Sequence, residues 1–341
     1  PINQAGQLLS KAALGVQAMH RISQFMGRET KELSVKTDSL SNGHDHSVLE
    51  VKDGTFFVGG SEPNKSELHS SDYEGLPSDS PATFTLSNIN VSVARGEVLA
   101  VVGSVASGKS TLIEGLLGDI RLSDNTNISM KGLVSLAAQT PFILSTTVRE
   151  NILFGSDYNK ERYDKVLDAC CLRADLLQWP AGDLTEIGER GVTMSGGQKA
   201  RVSVARAVYA NSDIVLFDDI LSALDAGTSQ RLFDNVFANV GDDTSLLHNS
   251  GIVLVTHAVH ILRRVNKILL LDRGDCIFYG TYEELQTFEP DNSVHLAKIK
   301  SMRLHLSDDD KDSEKSGATG PMRPPAFADN ADVSKGELMS A

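Results

Sequence analysis

The chain holds only three cysteines, Cys170, Cys171 and Cys276. They are too few and too unevenly spaced for a disulfide framework or a zinc site, which points to a reducing compartment. No apolar run approaches the roughly 18 residues needed to cross a bilayer, so a membrane role would belong to segments outside this sequence. A basic excess is missing too. The formal net charge is -13, whereas neutralising nucleic-acid phosphates takes a positive stripe, so no nucleic acid is expected as partner. No signal-peptide pattern follows Pro1, and an internal piece of a longer protein is expected. What is present, 40% hydrophobic and 23% charged residues over 341 positions, is the composition of a globular protein that can bury a full core.

Patterning along the chain is uneven. Residues 1–27 carry Leu8, Leu9, Ala12, Ala13, Val16, Met19, Ile22 and Phe25 at spacings of a helix with an apolar stripe, and residues 28–47 form a polar linker. A strand is predicted over 48–58. Residues 59–82, rich in Gly, Ser, Pro and acids, predict a disordered insertion. Strand alternation resumes at Phe84, and 98–102 is a continuous apolar run, hence a buried strand. Further buried strands are predicted at 133–138, 214–217 and 252–255, helices at 162–170 and 230–240, and a hairpin turned at Arg273-Gly274. Strands alternating with helices predict an α/β fold with a parallel core. The polar stretch 291–341 predicts a disordered linker.

Two glycine-bearing stretches carry the chemistry. Gly103, Ser104, Val105, Ala106, Ser107, Gly108, Lys109 and Ser110 match G-x-x-x-x-G-K-[ST] between a predicted buried strand and a helix at 111–117 opened by Thr111. Glycines let backbone N–H groups wrap a phosphate, Lys109 reaches the β/γ oxygens, and the Ser110 hydroxyl suits Mg²⁺. Such a loop needs a carboxylate on a neighbouring strand to hold the metal. Asp218 supplies it, after four apolar residues, with Asp219 next. Gln139 and His257 also end predicted strands; a lone Gln or His there is usually a polar cap, but both fall where strand C-termini converge, which favours a functional role. Ser195, Gly196, Gly197 and Gln198 open a second amphipathic helix, predicted over 197–211, whose N-terminus collects anions. Asp225 reads as the N-cap of the helix that follows.

Taken in order, the phosphate loop, Gln139, Ser195 to Gln198, Asp218-Asp219, residues 222–225 and His257 resemble the ATP-binding cassette of ABC transporters. Residues 151–155 (Asn-Ile-Leu-Phe-Gly), 182–190 (Gly-Asp-Leu-Thr-Glu-Ile-Gly-Glu-Arg) and 205–209 (Ala-Arg-Ala-Val-Tyr) narrow this to the first nucleotide-binding domain of the multidrug resistance-associated (C) subfamily. The resemblance covers about residues 48–290. It implies an ABC-type P-loop NTPase core with a parallel sheet, an antiparallel β subdomain and a helical signature subdomain over about 140–210. It implies ATP and Mg²⁺ as ligands and a second nucleotide-binding domain of the same transporter as partner. Lys109, Ser110, Gln139 and Asp218 would hold Mg-ATP, with Asp219, Gln139 and His257 catalytic. Ser195, Gly196, Gly197 and Gln198 would complete the ATP site of the partner cassette. Residues 140–144 would meet the coupling helices of a transmembrane domain, residues 1–27 would extend that domain's last helix, and the cassette would sit at the cytosolic face of a membrane.

Three residues depart from the family pattern. Asp219 stands where a catalytic Glu is expected, one methylene shorter, which implies weak hydrolysis at this chain's own site. Ala106 replaces a loop glycine and adds a Cβ near the phosphates. The aromatic expected to stack on adenine is Val58, leaving Phe57, or else Phe56, to take that place. Two other readings follow from the same residues: a nucleotide-binding regulatory module without turnover, and a soluble ABC ATPase, which the acidic charge balance opposes.

Overall fold

The computed structural model describes residues 36–38, 47–58, 84–188, 192–238, 240–290, 292–300 and 302–303. The expected helix over 1–27, most of the 28–47 linker, the insertion over 59–82 and most of the tail beyond 291 lie outside the described residues. The chain divides into two units, Pro1–Phe288 and Glu289–Ala341. In the second, residues 293–300 are helical. All the elements named below belong to the first.

In chain order these are β1 (Lys36–Asp38), β2 (Ser47–Val58), β3 (Phe84–Ala94), β4 (Val98–Gly103), α1 (Lys109–Leu116), β5 (Arg121–Leu122), β6 (Asn127–Lys131), β7 (Val134–Ala137), α2 (Val148–Leu153), α3 (Lys160–Ala169), α4 (Arg173–Gln178), α5 (Gly196–Tyr209), β8 (Ile214–Asp218), α6 (Ala226–Val236), β9 (Gly251–Val255), β10 (Lys267–Asp272), β11 (Asp275–Gly280) and α7 (Tyr282–Thr287). The strands run in the order β1-β6-β2-β3-β11-β10-β4-β9-β8-β7, with β5 on β2. β10, β4, β9, β8 and β7 pair in parallel. The β2 pairings with β3, β5 and β6 are antiparallel. This is the mixed α/β architecture of an ABC-type P-loop NTPase domain, with the helices α2 to α5 gathered between β7 and β8.

The parallel strands are apolar on both faces because both are covered. Val215, Phe217, Ile252 and Leu254 join one core with Val166, Val204 and Phe233 from α3, α5 and α6. Their neighbours Ile214, Leu216, Val253 and Val255 join the other with Leu112, Ile113 and Leu116 of α1. Helix α1 lies so close to β2 that a methyl group at Gly115 would sit 2.2 Å from Phe56 Cδ1. That approach seats the helix following the phosphate loop on the sheet.

Some boundaries differ from expectation. The 133–138 run is not a buried strand: β7 is the sheet's last strand, mostly half-buried, and Leu133 is 70% exposed. An edge strand has a neighbour on one side only, so its apolar residues are half covered. The helix predicted at 230–240 begins at Ala226, because the Asp225 carboxylate accepts from the Thr228 N–H at 2.9 Å, and it ends at Val236. Likewise α3 starts at Lys160 behind an Asn159 cap. Helix α4, six residues long, escaped the periodicity argument.

One partly exposed contact at the sheet edge makes a stability prediction. The Asp213 carboxylate accepts from Arg95 Nη2 and, at 2.8 Å, from the Leu133 N–H, tying the β3–β4 turn to the start of β7. Burial pushes this carboxyl up, but the Arg95 guanidinium and the Leu133 N–H outweigh it and hold it below the ordinary range. A depressed carboxyl adds stability above its unfolded pKa, and that share is lost as pH falls through the folded value. Asp213→Ala is therefore expected to lower unfolding free energy by about 1–3 kcal/mol at neutral pH. In urea titrations the gap to wild type should narrow below about pH 4; a gap that does not change with pH would refute the assignment.

Candidate functional site

The phosphate loop leaves β4 and turns sharply into α1. Gly108 has φ 107° and Ala106 φ 61°, so Ala106 holds a left-handed conformation that costs a residue with a Cβ about 1–2 kcal/mol. Val105 at the loop's tip is 85% exposed. Lys109 is buried, and its Nζ donates to the carbonyls of Gly103 at 3.1 Å and Ser104 at 2.8 Å. The ammonium is thus folded back across the loop.

Facing the loop are the C-terminal ends of β8, β9 and β7. Asp218 closes β8, and Ser110 Oγ donates to its Oδ1 at 3.4 Å. Asp219 follows in a left-handed conformation, φ 47°, with its N–H donated to the Val255 carbonyl at 3.0 Å. Gln139, just past β7, donates from Nε2 to Asp219 Oδ2 at 3.4 Å. The other oxygen, Oδ1, is buried without a hydrogen-bond partner. Burial pushes the Asp218 carboxyl above its ordinary range; the Ser110 hydroxyl and Lys109 oppose the shift, and the adjacent Asp219 charge adds to it.

These groups line one cleft of about 270 Å³, with Val105, Ala106, Ser107, Gly108, Lys109, Ser110 and Thr111 on one side and Gln139, Asp218, Asp219, Val255 and His257 on the other. A hydroxyl, an amide oxygen and carboxylates form the hard-oxygen donor set that Mg²⁺ takes. The buried, unpartnered Asp219 oxygen marks a spot where a cation or a water proton would be stabilised. The residues present fit Mg²⁺ and a polyphosphate.

The expected signature residues lie elsewhere. Ser195 caps α5 in a reciprocal box: its Oγ accepts from the Gln198 N–H at 3.3 Å, and its own N–H is donated to Gln198 Oε1 at 2.9 Å. Ser195 and Gly196 are exposed. They do not line the cleft. Behind them sits a residue that sequence patterning missed. Asp175 of α4 accepts from Gln198 Nε2 at 2.9 Å and from Arg201 Nη2 at 2.7 Å. The signal was indirect: Arg201 on a helix with mostly apolar neighbours requires a counter-charge, but nothing in the sequence says which.

Phe57 is not brought to the cleft. It pairs with Thr85 and Arg121 and alternates with Phe56, which is fully buried against α1. In a pleated strand Phe57 therefore points to the opposite face, and Phe56 has no exposed ring to offer.

A parallel sheet with a lysine-bearing phosphate loop on one strand, carboxylates at the end of another and a capped Ser-Gly-Gly helix start defines a P-loop nucleotide-binding cassette. Residues 86–222 match the ABC transporter family. The chain is 41% identical over 244 residues to ABC transporter C family member 2 of Dictyostelium discoideum, covering 71% of this chain and 17% of that protein. It is 44% identical over 220 residues to ATP-binding cassette sub-family C member 4 of Homo sapiens, 64% of this chain and 16% of that one. With human sub-family C member 2 it shares 39% over 238 residues, 67% of this chain and 15% of that protein. The chain thus contains an ABC transporter domain related to the C family, and its match spans about a sixth of the length of these relatives. Among the described residues no helix is long and apolar enough to cross a membrane.

Proposed function

We propose that this chain is the first ATP-binding cassette of a multidrug resistance-associated-type exporter. It binds Mg-ATP and pairs with a second cassette to drive efflux of organic anions or conjugates. The observation that supports this best is the convergence of Lys109, Ser110, Gln139, Asp218, Asp219 and His257 on one cleft. In this reading Lys109 exchanges its loop carbonyls for phosphate oxygens, and Ser110, Asp218 and Gln139 hold Mg²⁺. Bound Mg²⁺ supplies charge neutralisation and orientation of the terminal phosphate. Asp219 orients a water and takes its proton, and His257 steadies the terminal phosphate. Exposed Ser195 and Gly196 face the partner cassette's nucleotide.

The transmembrane partner has a candidate surface. Phe142 is 62% and Phe154 51% exposed, and both line a separate cavity of about 390 Å³ between β7 and α5. Arg206 fixes its wall, donating to the carbonyls of Asn151 and Phe142, each at 2.7 Å.

Hydrolysis at this chain's own loop is proposed to be poor. The Asp219 carboxylate is one methylene shorter than Glu and already engages Gln139; a misplacement of about 1 Å costs roughly 100-fold. In the full-length transporter with the second cassette silenced, Asp219→Glu is expected to raise ATP turnover by about 10- to 100-fold. Unchanged turnover with ATP still bound would favour the second reading, a nucleotide clamp without catalysis. ATP-dependent uptake of glutathione conjugates into vesicles, lost on Lys109→Ala, tests the export role.

A further inference from the structure

An aromatic ring other than Phe57 lies against the phosphate loop. Strand register pairs Val58 with Phe84, Phe57 with Thr85 and Phe56 with Leu86. Cross-strand partners share a face of the sheet. The face of Phe56 and Leu86 is the one that meets α1 and the loop: Phe56 Cδ1 is 2.2 Å from the position of a methyl group at Gly115, and Leu86 Cδ1 is 3.1 Å from one at Gly108. Phe84 and Val58 sit at the end of that same face.

Phe84, like Phe57, does not line the cleft, but it reaches the loop itself. Its Cζ is 3.3 Å from the methyl position at Gly108 and 3.4 Å from that at Gly274 in the β10–β11 turn. The ring is wedged between two backbones that carry no side chains, one residue before Lys109. Leu86, two residues along, is fully buried, whereas Phe84 is only half-buried, so part of its surface is open. Val58 is an aliphatic, half-buried neighbour across the strand pair.

We propose that Phe84 is the stacking platform for the base of the bound nucleoside triphosphate, a place that neither Val58 nor Phe57 can fill. This rests on the reading of the loop as an ATP site. A nucleotide held by its phosphates at Gly108, Lys109 and Ser110 carries its base one ribose away. A planar base gains by covering an open aromatic face, and the gain tolerates many bases because each has a π-face. Affinity here is therefore divided: the loop reads the phosphates and Phe84 reads the base.

Equilibrium binding of ATP and of inorganic tripolyphosphate to the chain separates the two. Phe84→Ala is expected to weaken ATP binding about tenfold and to leave tripolyphosphate binding unchanged. Phe84→Tyr should retain wild-type affinity for both, and Phe57→Ala should alter neither. Equal loss of ATP and tripolyphosphate in Phe84→Ala would make the ring a support for the loop only and overturn the proposal, as would unchanged ATP binding. A wild-type chain that binds neither ligand would overturn the ATP reading itself, and this proposal with it.

Discussion

Alanine at Lys109 is expected to weaken ATP binding by about 10- to 100-fold, the range set by losing charge-assisted hydrogen bonds of about 1.5–3 kcal/mol. The lysine is 8% exposed and is already desolvated before any ligand arrives. Its ammonium rests on the Gly103 and Ser104 carbonyls at 3.1 and 2.8 Å, which are neutral acceptors. A phosphate oxygen offers full charge in the same dry place, so the exchange favours the ligand. Lysine to arginine keeps the charge but brings a planar, wider head into a tight loop, so Lys109→Arg should recover only part of the affinity. Calorimetric titration with far-UV circular dichroism as a check on folding decides it. Wild-type affinity in a folded Lys109→Ala chain would remove the basis for the nucleotide reading.

The sequence makes the site's chemistry legible wherever short-range pattern suffices. A strand–loop–helix register sets Gly103 to Ser110, and a run of apolar residues ending in an acid sets Asp218. What it does not make legible is set by pairing across the sheet. Phe57 and Phe84 are separated by a stretch with no periodicity, so no spacing rule says that Phe84 pairs with Val58 and that Phe57 turns away. The 133–138 run has the composition of a central strand and sits at an edge, because strand order is a long-range property. Helix α4 is too short to show a period, and so the buried acid on it stayed hidden.

That acid carries the largest expected stability effect. Asp175 and Arg201 have side chains 10% and 13% exposed and bond at 2.7 Å. Arg201 Nε is buried without a partner, so Asp175 is the guanidinium's carboxylate. Asp175→Ala leaves that charge buried and unpaired, which costs about 3–5 kcal/mol, and it strips the acceptor from Gln198 Nε2. Asp175→Asn keeps the acceptor and loses the charge, so its cost should be smaller. The consequence for function follows from the cap: Gln198 links Asp175 to Ser195, and a freed Gln198 loosens the exposed Ser195-Gly196 start of α5. If those residues complete a partner's ATP site, Asp175→Asn in the full-length transporter should slow hydrolysis at the partner's loop while ATP affinity at Lys109 stays at wild-type level. Urea titration of the Ala variant is the first measurement. A midpoint equal to wild type would sink the buried pair, and unchanged partner-site turnover in Asp175→Asn would show that the cap's geometry does not govern the signature.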